Sequence, residues 1–117
     1  MKATAIKDPV ASVSFNWIDG KGKERPVRGV IGKPYQVDEV SWACAHVLDG
    51  AFDQGPDIVG GDSIQALSLA LYGLYHDLLR LLDDGGQLLN PKTRDAVDLV
   101  WLKATFSRST SQFQAVT

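Results

Sequence analysis

The stretch "DSIQALSLALYGLYHDLLRLLD", residues 62–83, carries the strongest helix pattern in the chain. On a helical wheel one face collects apolar side chains, and these are Ile64, Leu67, Leu71, Leu74, Leu78, Leu81 and Leu82, flanked by Ala66 and Ala70. Full burial of one leucine is worth roughly 1.5 to 3 kcal/mol, so we expect this helix to anchor the fold. Gly85 or Gly86 can supply the left-handed residue that ends it.

The start of this helix raises the question of whether Ser63 is a nucleophile. The run Gly-Asp-Ser-Ile at residues 61–64 resembles the Gly-Asp-Ser-Leu signature of a family of esterases and lipases, in which the serine attacks acyl carbonyls. A serine nucleophile needs a general base within hydrogen-bond reach. His76 lies thirteen residues along the same helix, a distance of about 20 Å, and His46 is reachable only if its strand ends beside the helix start.

A capping role explains the same residues without catalysis. Asp62 is a favoured N-cap, and Gln65 three positions later completes the spacing of a capping box. Such a cap is worth on the order of 1 kcal/mol. We therefore interpret Ser63 as part of a helix start, and a small hydrolase that uses Ser63 is the least favoured of the functions considered.

Strand patterns precede the helix. Residues 11–19 alternate apolar and polar side chains, which is typical of a half-buried strand. Two glycines in residues 19–24 favour a reversal, and residues 25–37 are expected to return as a short strand at or near a sheet edge, because glycines and a proline interrupt them. Residues 39–48 form a third predicted strand with large side chains at the even positions. Residues 49–61 are predicted to form a loop, with a brief extended piece at Ile58 and Val59 as an option.

The segment after the helix leaves two alternatives. Asn90 followed by Pro91 favours a second helix through residues 91–106. Residues 97–106 are also β-branched and aromatic enough to form a strand.

The pattern as a whole predicts an α+β fold. A small antiparallel β-meander is expected to pack against one long amphipathic helix, with an additional C-terminal helix or strand. We expect one domain over residues 1–117, with frayed ends at residues 1–10 and 107–117.

The composition is that of an ordinary globular domain. Of the 117 residues 44% are hydrophobic and 22% are charged, and no run of about 18 apolar residues exists to span a bilayer. The N-terminus lacks the continuous apolar stretch of a secretory signal and the single Cys44 cannot form an internal disulfide, so we expect a cytoplasmic protein without a membrane partner. Cys44 and His46 share a predicted strand face, but no second Cys or local His pair completes a metal site. We therefore predict no cofactor, no metal and no catalytic residue.

Charge is distributed unevenly along the chain, whose net charge is −2. Residues 1–33 hold seven Lys or Arg, whereas residues 34–79 hold none and carry seven Asp or Glu. This acidic middle argues against nucleic-acid binding, since phosphate contacts need Lys and Arg. The plainer alternative is that Asp is frequent here because it favours turns.

The order of elements and the helix start also resemble a group of small bacterial domains of uncharacterised function. In that group a Gly-x-Asp-Ser-x-Gln-Ala-Leu helix start follows a short meander. The similarity covers residues 13–82 and is most specific at residues 61–71. It implies a meander packed on one long helix, and it carries over no catalytic residue.

A small domain without a catalytic constellation suits specific protein binding. One such class is the immunity proteins of contact-dependent or secreted toxin systems, and toxins that cut nucleic acid have basic clefts toward which an acidic inhibitor is steered. We therefore predict a protein that neutralises a cognate toxin, with a nuclease as the best-fitting toxin class. The alternative is a protein-binding or scaffold role in another bacterial system. The predicted partner-binding residues are three loop carboxylates, expected to be solvated, and three side chains on an exposed helix edge, namely Asp49, Asp53, Asp57, Gln65, Tyr72 and His76.

Overall fold

The computed structural model describes residues 2–106 and confirms the α+β fold, with one long helix packed on a sheet. Its elements in chain order are β1 (Pro9–Ile18), β2 (Glu24–Gly32), β3 (Tyr35–Gln36), β4 (Trp42–Cys44), β5 (His46–Asp49), β6 (Ile58–Gly60), α1 (Ser63–Asp83), β7 (Gln87–Leu89), β8 (Ala96–Val97) and α2 (Leu99–Phe106). Five strands form an antiparallel sheet in the order β5-β2-β1-β7-β8, and three form a smaller sheet in the order β3-β4-β6. Helix α1 contacts both sheets.

The hairpin of β1 and β2 confirms the strand predicted from the alternation of residues 11–19. Its turn is closed by Asp19, whose carboxylate accepts hydrogen bonds from the backbone N–H groups of Lys21 and Lys23 at 2.9 and 3.0 Å. The second strand was expected to be short and at or near a sheet edge. The expected length is wrong, because β2 spans nine residues, whereas its position is near an edge, since only β5 lies beyond it. Gly29 does not break this strand. Its missing side chain makes room for Leu74 of α1, whose methyl carbons would lie 2.9 Å from a Cβ at that position.

The predicted third strand over residues 39–48 is in fact two strands that belong to different sheets. Val40 lies before β4 and is 75% exposed. Strand β4 pairs within the small sheet, whereas β5 pairs with β2 in the large one. The chain changes sheets at Ala45, whose carbonyl accepts a hydrogen bond from the N–H of Gly32 at 2.9 Å. Because large side chains alternate across the change, the sequence pattern resembles that of one strand.

Helix α1 begins and ends where its sequence predicts. Asp62 is the N-cap, and Gly85 follows the last turn with a φ of 79°. The buried residues of α1 are Ala66, Ala70, Leu74, Tyr75, Leu78 and Leu81, which form the core with the inner face of the large sheet.

The predicted apolar face of α1 is wrong at Ile64, which is 76% exposed. Ile64 and Tyr75 lie on the same flank of α1, eleven residues apart. Phe106 of α2 stacks on Tyr75, with ring centroids 5.8 Å apart. Tyr75 is therefore covered by a second helix, whereas no described residue covers Ile64 to the same extent.

The segment after α1 contains both a strand and a helix. Asn90 is wrong as a helix start, because its side-chain oxygen accepts hydrogen bonds from two backbone N–H groups that follow it and closes the turn between β7 and β8. Helix α2 begins only at Leu99. Asp98 caps it, since its carboxylate accepts a hydrogen bond from the N–H of Trp101 at 3.0 Å.

The N-terminal segment is fixed to the rest of the fold. The N–H of Thr4 donates to the carboxylate of Asp57 at 3.0 Å, and β1 already begins at Pro9. Residues 1–10 were predicted to be frayed, which is wrong at Thr4 and from Pro9 onward, and the predicted frayed segment 107–117 lies outside the described residues. Within the described part of the chain, no helix has the length and apolarity that crossing a membrane requires.

Candidate protein-binding surface

The outer face of α1 presents four side chains in one line, Gln65, Leu69, Tyr72 and His76, here called the α1 ridge. They recur at intervals of four, three and four residues, which places them on the face opposite Leu74. Leu69 is 39% exposed and Tyr72 is 56% exposed. The rings of Tyr72 and His76 meet edge to face with centroids 4.4 Å apart. The structure therefore brings together the three helix residues that the sequence predicts and adds Leu69, which the same spacing could have identified.

Gln65 also helps to form the helix start. Its backbone N–H donates to Asp62 Oδ1 at 2.7 Å, and its side-chain oxygen accepts a hydrogen bond from the N–H of Gly61 at 2.6 Å. This confirms Asp62 as the cap, with the reciprocal bond reaching Gly61. The α1 ridge thus begins from a residue whose side chain is held in place.

Ser63 lies in the first turn of α1, far from both histidines. His46 packs against Gly73, where an added Cβ would lie 2.7 Å from the imidazole Nε2. Gly73 is ten residues beyond Ser63, a rise of about 15 Å along the helix, and His76 is further still. Neither imidazole lies within hydrogen-bond reach of the Ser63 hydroxyl.

Asp49 lies on the opposite side of the molecule from the α1 ridge. It ends β5 on the outer face of the large sheet, where Arg28 of β2 is its register partner. A shallow groove on that face is lined by both residues together with Ser14 and Asn16 of β1. The loop carboxylates that were expected to act together therefore do not form one surface.

Asp57 is buried, with 4% of its surface exposed, and the prediction that it is a solvated contact residue is wrong. Its carboxylate accepts hydrogen bonds from the Tyr35 hydroxyl at 2.5 Å and from the N–H of Thr4 at 3.0 Å. The hydrogen bond to Asp57 raises the pKa of Tyr35 above its ordinary value. Asp57 thus ties the N-terminal segment to the small sheet and is not available to a partner.

Asp53 remains exposed and lies near the C-terminal end of the α1 ridge. Its neighbour Phe52 packs under the guanidinium of Arg80, which lies 4.1 Å from the centre of the ring. Arg80 follows His76 by about one helical turn. The contact therefore brings the loop of Asp53 beside the ridge.

The surroundings of His46 and Cys44 were not evident from the sequence. His46 Nδ1 is buried without a hydrogen-bond partner, and burial lowers the pKa of this imidazole below its ordinary value. Burial also raises the pKa of the Cys44 thiol to about 11, and this thiol donates to the carbonyl of Gly32 at 3.3 Å. Within residues 2–106, no three His, Cys, Asp or Glu side chains come together as a possible metal site. We interpret both residues as part of the core.

The acidic middle of the sequence is not isolated in space. The carbonyl of Lys2 accepts a hydrogen bond from the N–H of Asp57 at 3.4 Å, so the lysine-containing N-terminal segment runs beside the small sheet. Of the acidic residues, Asp62 lies exposed at the start of the α1 ridge and Asp53 lies exposed near its end. At that end Arg80, whose side chain is 63% exposed, pairs with Asp77 at 3.7 Å, so the C-terminal end of the ridge carries charges of both signs.

The α1 ridge combines an exposed apolar and aromatic centre with the carboxylate of Asp62 at one end and the opposite charges of Asp53 and Arg80 at the other. This arrangement is suited to contact with a protein, since aromatic residues supply much of the energy of protein interfaces and charges at the rim guide association. Comparison with known proteins found no matching family model, no matching curated protein and no matching solved structure.

Proposed function

We propose that this chain is a protein-binding domain of the immunity type, which neutralises a cognate protein toxin by binding it through the α1 ridge. The observation that carries the proposal is the exposure of Leu69 and Tyr72 on a helix whose opposite face is buried. Neither side chain contributes to the core. A rigid helix that presents an aromatic and an aliphatic side chain offers anchors for a groove on a partner.

The contact between Tyr72 and His76 supports a role for both at the centre of the interface. With centroids 4.4 Å apart, the imidazole restricts the orientation of the phenol ring. A side chain that is already ordered loses less conformational freedom on binding. The phenol hydroxyl and the imidazole also supply polar groups that can hydrogen-bond to the toxin.

The carboxylates that border the α1 ridge support a partner with basic groups, while the exposed guanidinium of Arg80 at its C-terminal end offers a site for an acidic group of the same partner. Asp62 and Asp53 lie exposed near its two ends. A toxin with a basic substrate cleft, such as a nuclease, would be attracted to them over a Debye length of about 8 Å at physiological ionic strength. We therefore propose that two carboxylates, those of Asp62 and Asp53, attract the partner, in place of the three loop carboxylates that the sequence predicts.

The experiment pairs this chain with the protein encoded next to its gene, which is tested as the toxin. Titration calorimetry measures the Kd, and growth of cells that co-express the two proteins measures protection. We expect Leu69→Ala and Tyr72→Ala each to weaken binding about 30-fold, the loss that corresponds to truncation of an interface hot spot. Asp53→Asn should lower the association rate, more strongly at low salt than at high salt.

Leu99→Ala is the matched control for Leu69→Ala. Both residues are helical leucines, and their exposed fractions are similar at 44% and 39%. The control should bind like wild type. Equal weakening by the two leucine variants would remove the α1 ridge from the proposal, and failure of the wild-type chain to bind the toxin would remove the immunity function itself.

A further inference from the structure

The imidazole of His46 lies between the large sheet and the backbone of α1. His46 is the first residue of β5, and its register partner on β2 is the buried Ile31, so its side chain belongs to the sheet face that α1 covers. Three atoms of the ring, Nε2, Cε1 and Cδ2, lie 2.7, 3.0 and 3.4 Å from the position that a Cβ on Gly73 would occupy. Helix α1 therefore rests directly on this ring, and a glycine is needed at the contact.

One nitrogen of the His46 ring has no hydrogen-bond partner. Within residues 2–106, Nδ1 of His46 is buried and no group pairs with it. The neutral imidazole carries one proton and can leave Nδ1 without it, whereas the imidazolium carries a proton on both nitrogens. A buried charged N–H group without an acceptor destabilises the fold. The arrangement of the ring beside Gly73 therefore suits the neutral form and not the protonated form.

Two carboxylates are the charged groups that act on His46 in the described part of the chain. Burial lowers the pKa of His46, and the negative charges of Asp77 and Asp57 offset only part of this effect. Asp57 already accepts hydrogen bonds from the Tyr35 hydroxyl and the N–H of Thr4. Asp77 belongs to α1, and its side chain remains 22% exposed. Asp77 is therefore the carboxylate that a protonated His46 can reach.

The other described elements around His46 bring no charge to this side of the sheet. Strand β2 places the apolar Ile31 opposite it. The titratable side chain of β4 is Cys44, whose thiol stays protonated because burial raises its pKa to about 11. Asp49 of β5 lies on the outer face of the sheet. On α1 itself His76 faces outward on the ridge, and Arg80 pairs with Asp77 at 3.7 Å.

The ring of His46 has no room to turn toward Asp77 while α1 stays in place. Asp77 follows Gly73 by four residues, a rise of about 6 Å along the same side of the helix. Because three ring atoms already lie against Gly73, a turn in that direction presses the ring into the helix backbone. The neighbouring contact of Leu74 with Gly29 contains no titratable group, so protonation does not act on it directly.

From these contacts we infer that His46 makes the position of α1 sensitive to pH. When His46 takes up a proton, α1 moves away from the large sheet at Gly73 and pivots about Leu74, which stays packed on Gly29. Tyr72 directly precedes Gly73 and His76 follows it by three residues, so this movement reorients the α1 ridge. The inference concerns the chain alone and does not depend on the proposed toxin binding.

Nuclear Overhauser effects between the His46 ring protons and the α protons of Gly73 test the movement in the full chain, from about pH 8 to about pH 5. A lowered pKa in the folded state means that the neutral ring stabilises the contact, which is complete above pH 6.5 and lost as pH falls through the lowered value. The effects between the Leu74 methyl groups and Gly29 should persist throughout.

Three results of this titration would overturn the inference. The first is a His46–Gly73 contact that persists while the His46 ring is protonated. The second is simultaneous loss of the Gly73 and Leu74 contacts, because the whole helix would then be released. The third is a ring that stays neutral until the chain unfolds, which circular dichroism at each pH would detect.

Variants assign the movement to His46. His46→Phe keeps a ring and His46→Gln keeps a polar side chain, but neither can take up a proton, so the amide shifts of Gly73 and Leu74 should no longer change over this pH range. Both are made so that circular dichroism can select the one that keeps the fold. His76→Gln is the matched control, because it removes the exposed imidazole of the same helix turn and should leave the transition at Gly73 in place. A transition that survives in the folded His46 variant, or disappears in His76→Gln, overturns the inference.

Asp77→Asn tests the surroundings of the ring without changing it. The carboxylate of Asp77 raises the pKa of His46, so its removal should move the midpoint of the transition at Gly73 to lower pH. A contact with a purely structural role would show no such shift. A midpoint that is unchanged or higher in Asp77→Asn contradicts the proposed coupling.

Discussion

The burial of Asp57 predicts that its removal lowers the stability of the fold. Asp57→Ala removes the acceptor of two hydrogen bonds, from the Tyr35 hydroxyl at 2.5 Å and from the N–H of Thr4 at 3.0 Å. A hydrogen bond to a charged group contributes about 1.5 to 3 kcal/mol, and two bonds that share one acceptor do not add fully. We therefore expect the free energy of unfolding to fall by about 3 kcal/mol.

Urea unfolding followed by circular dichroism measures this loss. With a denaturant slope of about 1 to 3 kcal/mol/M, the midpoint of Asp57→Ala should lie about 1 to 3 M below that of wild type. Asp57→Asn keeps the shape and one acceptor oxygen, so its midpoint should fall between the two. Asp53→Ala is the control, because Asp53 is an exposed carboxylate of the same loop and its removal should not shift the midpoint measurably.

An unchanged midpoint for Asp57→Ala would refute this reasoning and would restore Asp57 as a solvated surface residue. A second measurement is independent of global stability. The hydrogen bond to Asp57 raises the pKa of Tyr35, so this pKa should return toward its ordinary value in Asp57→Asn. Titration of the Tyr35 ring by NMR would follow the change.

The remaining predictions concern α1 and its contacts. Asp62→Ala should lower the free energy of unfolding by about 0.5 to 2 kcal/mol through loss of the cap, whereas Ser63→Ala should leave it nearly unchanged, and equal denaturation midpoints for the two variants would contradict the capping role. Leu74→Ala should cost about 2 to 5 kcal/mol, because Leu74 is 2% exposed and fills the space over Gly29; a wild-type melting temperature would show that the packing of α1 is misassigned. Burial lowers the pKa of His46 below 6.5, so its contribution to stability is complete above pH 6.5 and is lost as pH falls through the lowered value. NMR titration should give a midpoint below 6.5 for His46, and a midpoint at or above 6.5 would contradict its burial in the neutral form.

The helix and its two ends could be predicted because their determinants are local. The apolar face of α1 repeats within the helix, Asp62 caps residues that follow it directly, and Gly85 lies just beyond the last turn. The β1-β2 turn is local in the same sense, since Asp19 hydrogen-bonds to residues two and four positions later. Each of these interactions is formed between residues close enough in sequence for spacing alone to identify them.

The distribution of strands between two sheets could not be predicted, because it depends on partners that are distant in sequence. The run from Trp42 to Leu48 keeps its alternation while it passes from one sheet to the other. The burial of Asp57 has the same origin, since its partners Thr4 and Tyr35 lie 53 and 22 residues away. A carboxylate in a Gly-rich loop is ordinarily exposed, and only the folded chain shows which donors surround it.

The candidate site likewise has one part that could be predicted from the sequence and one part that could not. Gln65, Tyr72 and His76 were found from the sequence because the outward face of a helix follows from its inward face. The loop carboxylates were grouped by their spacing of four residues, which has no meaning in a chain that turns between them. Their positions depend on the strands at either end of the loop, so Asp49 faces away from α1 and Asp57 faces inward.

Two glycines set the direction in which the α1 ridge faces. At Gly29 of β2 an added Cβ would lie 2.9 Å from Leu74, and at Gly73 of α1 an added Cβ would lie 2.7 Å from the imidazole of His46. Both distances are shorter than ordinary van der Waals contact, so each glycine permits a close approach of α1 to the large sheet. The two contacts lie on different sides of the helix axis and together they fix its rotation. Because Tyr72 directly precedes Gly73 in the helix, the same packing that buries Leu74 directs Tyr72 outward, where its ring stays exposed.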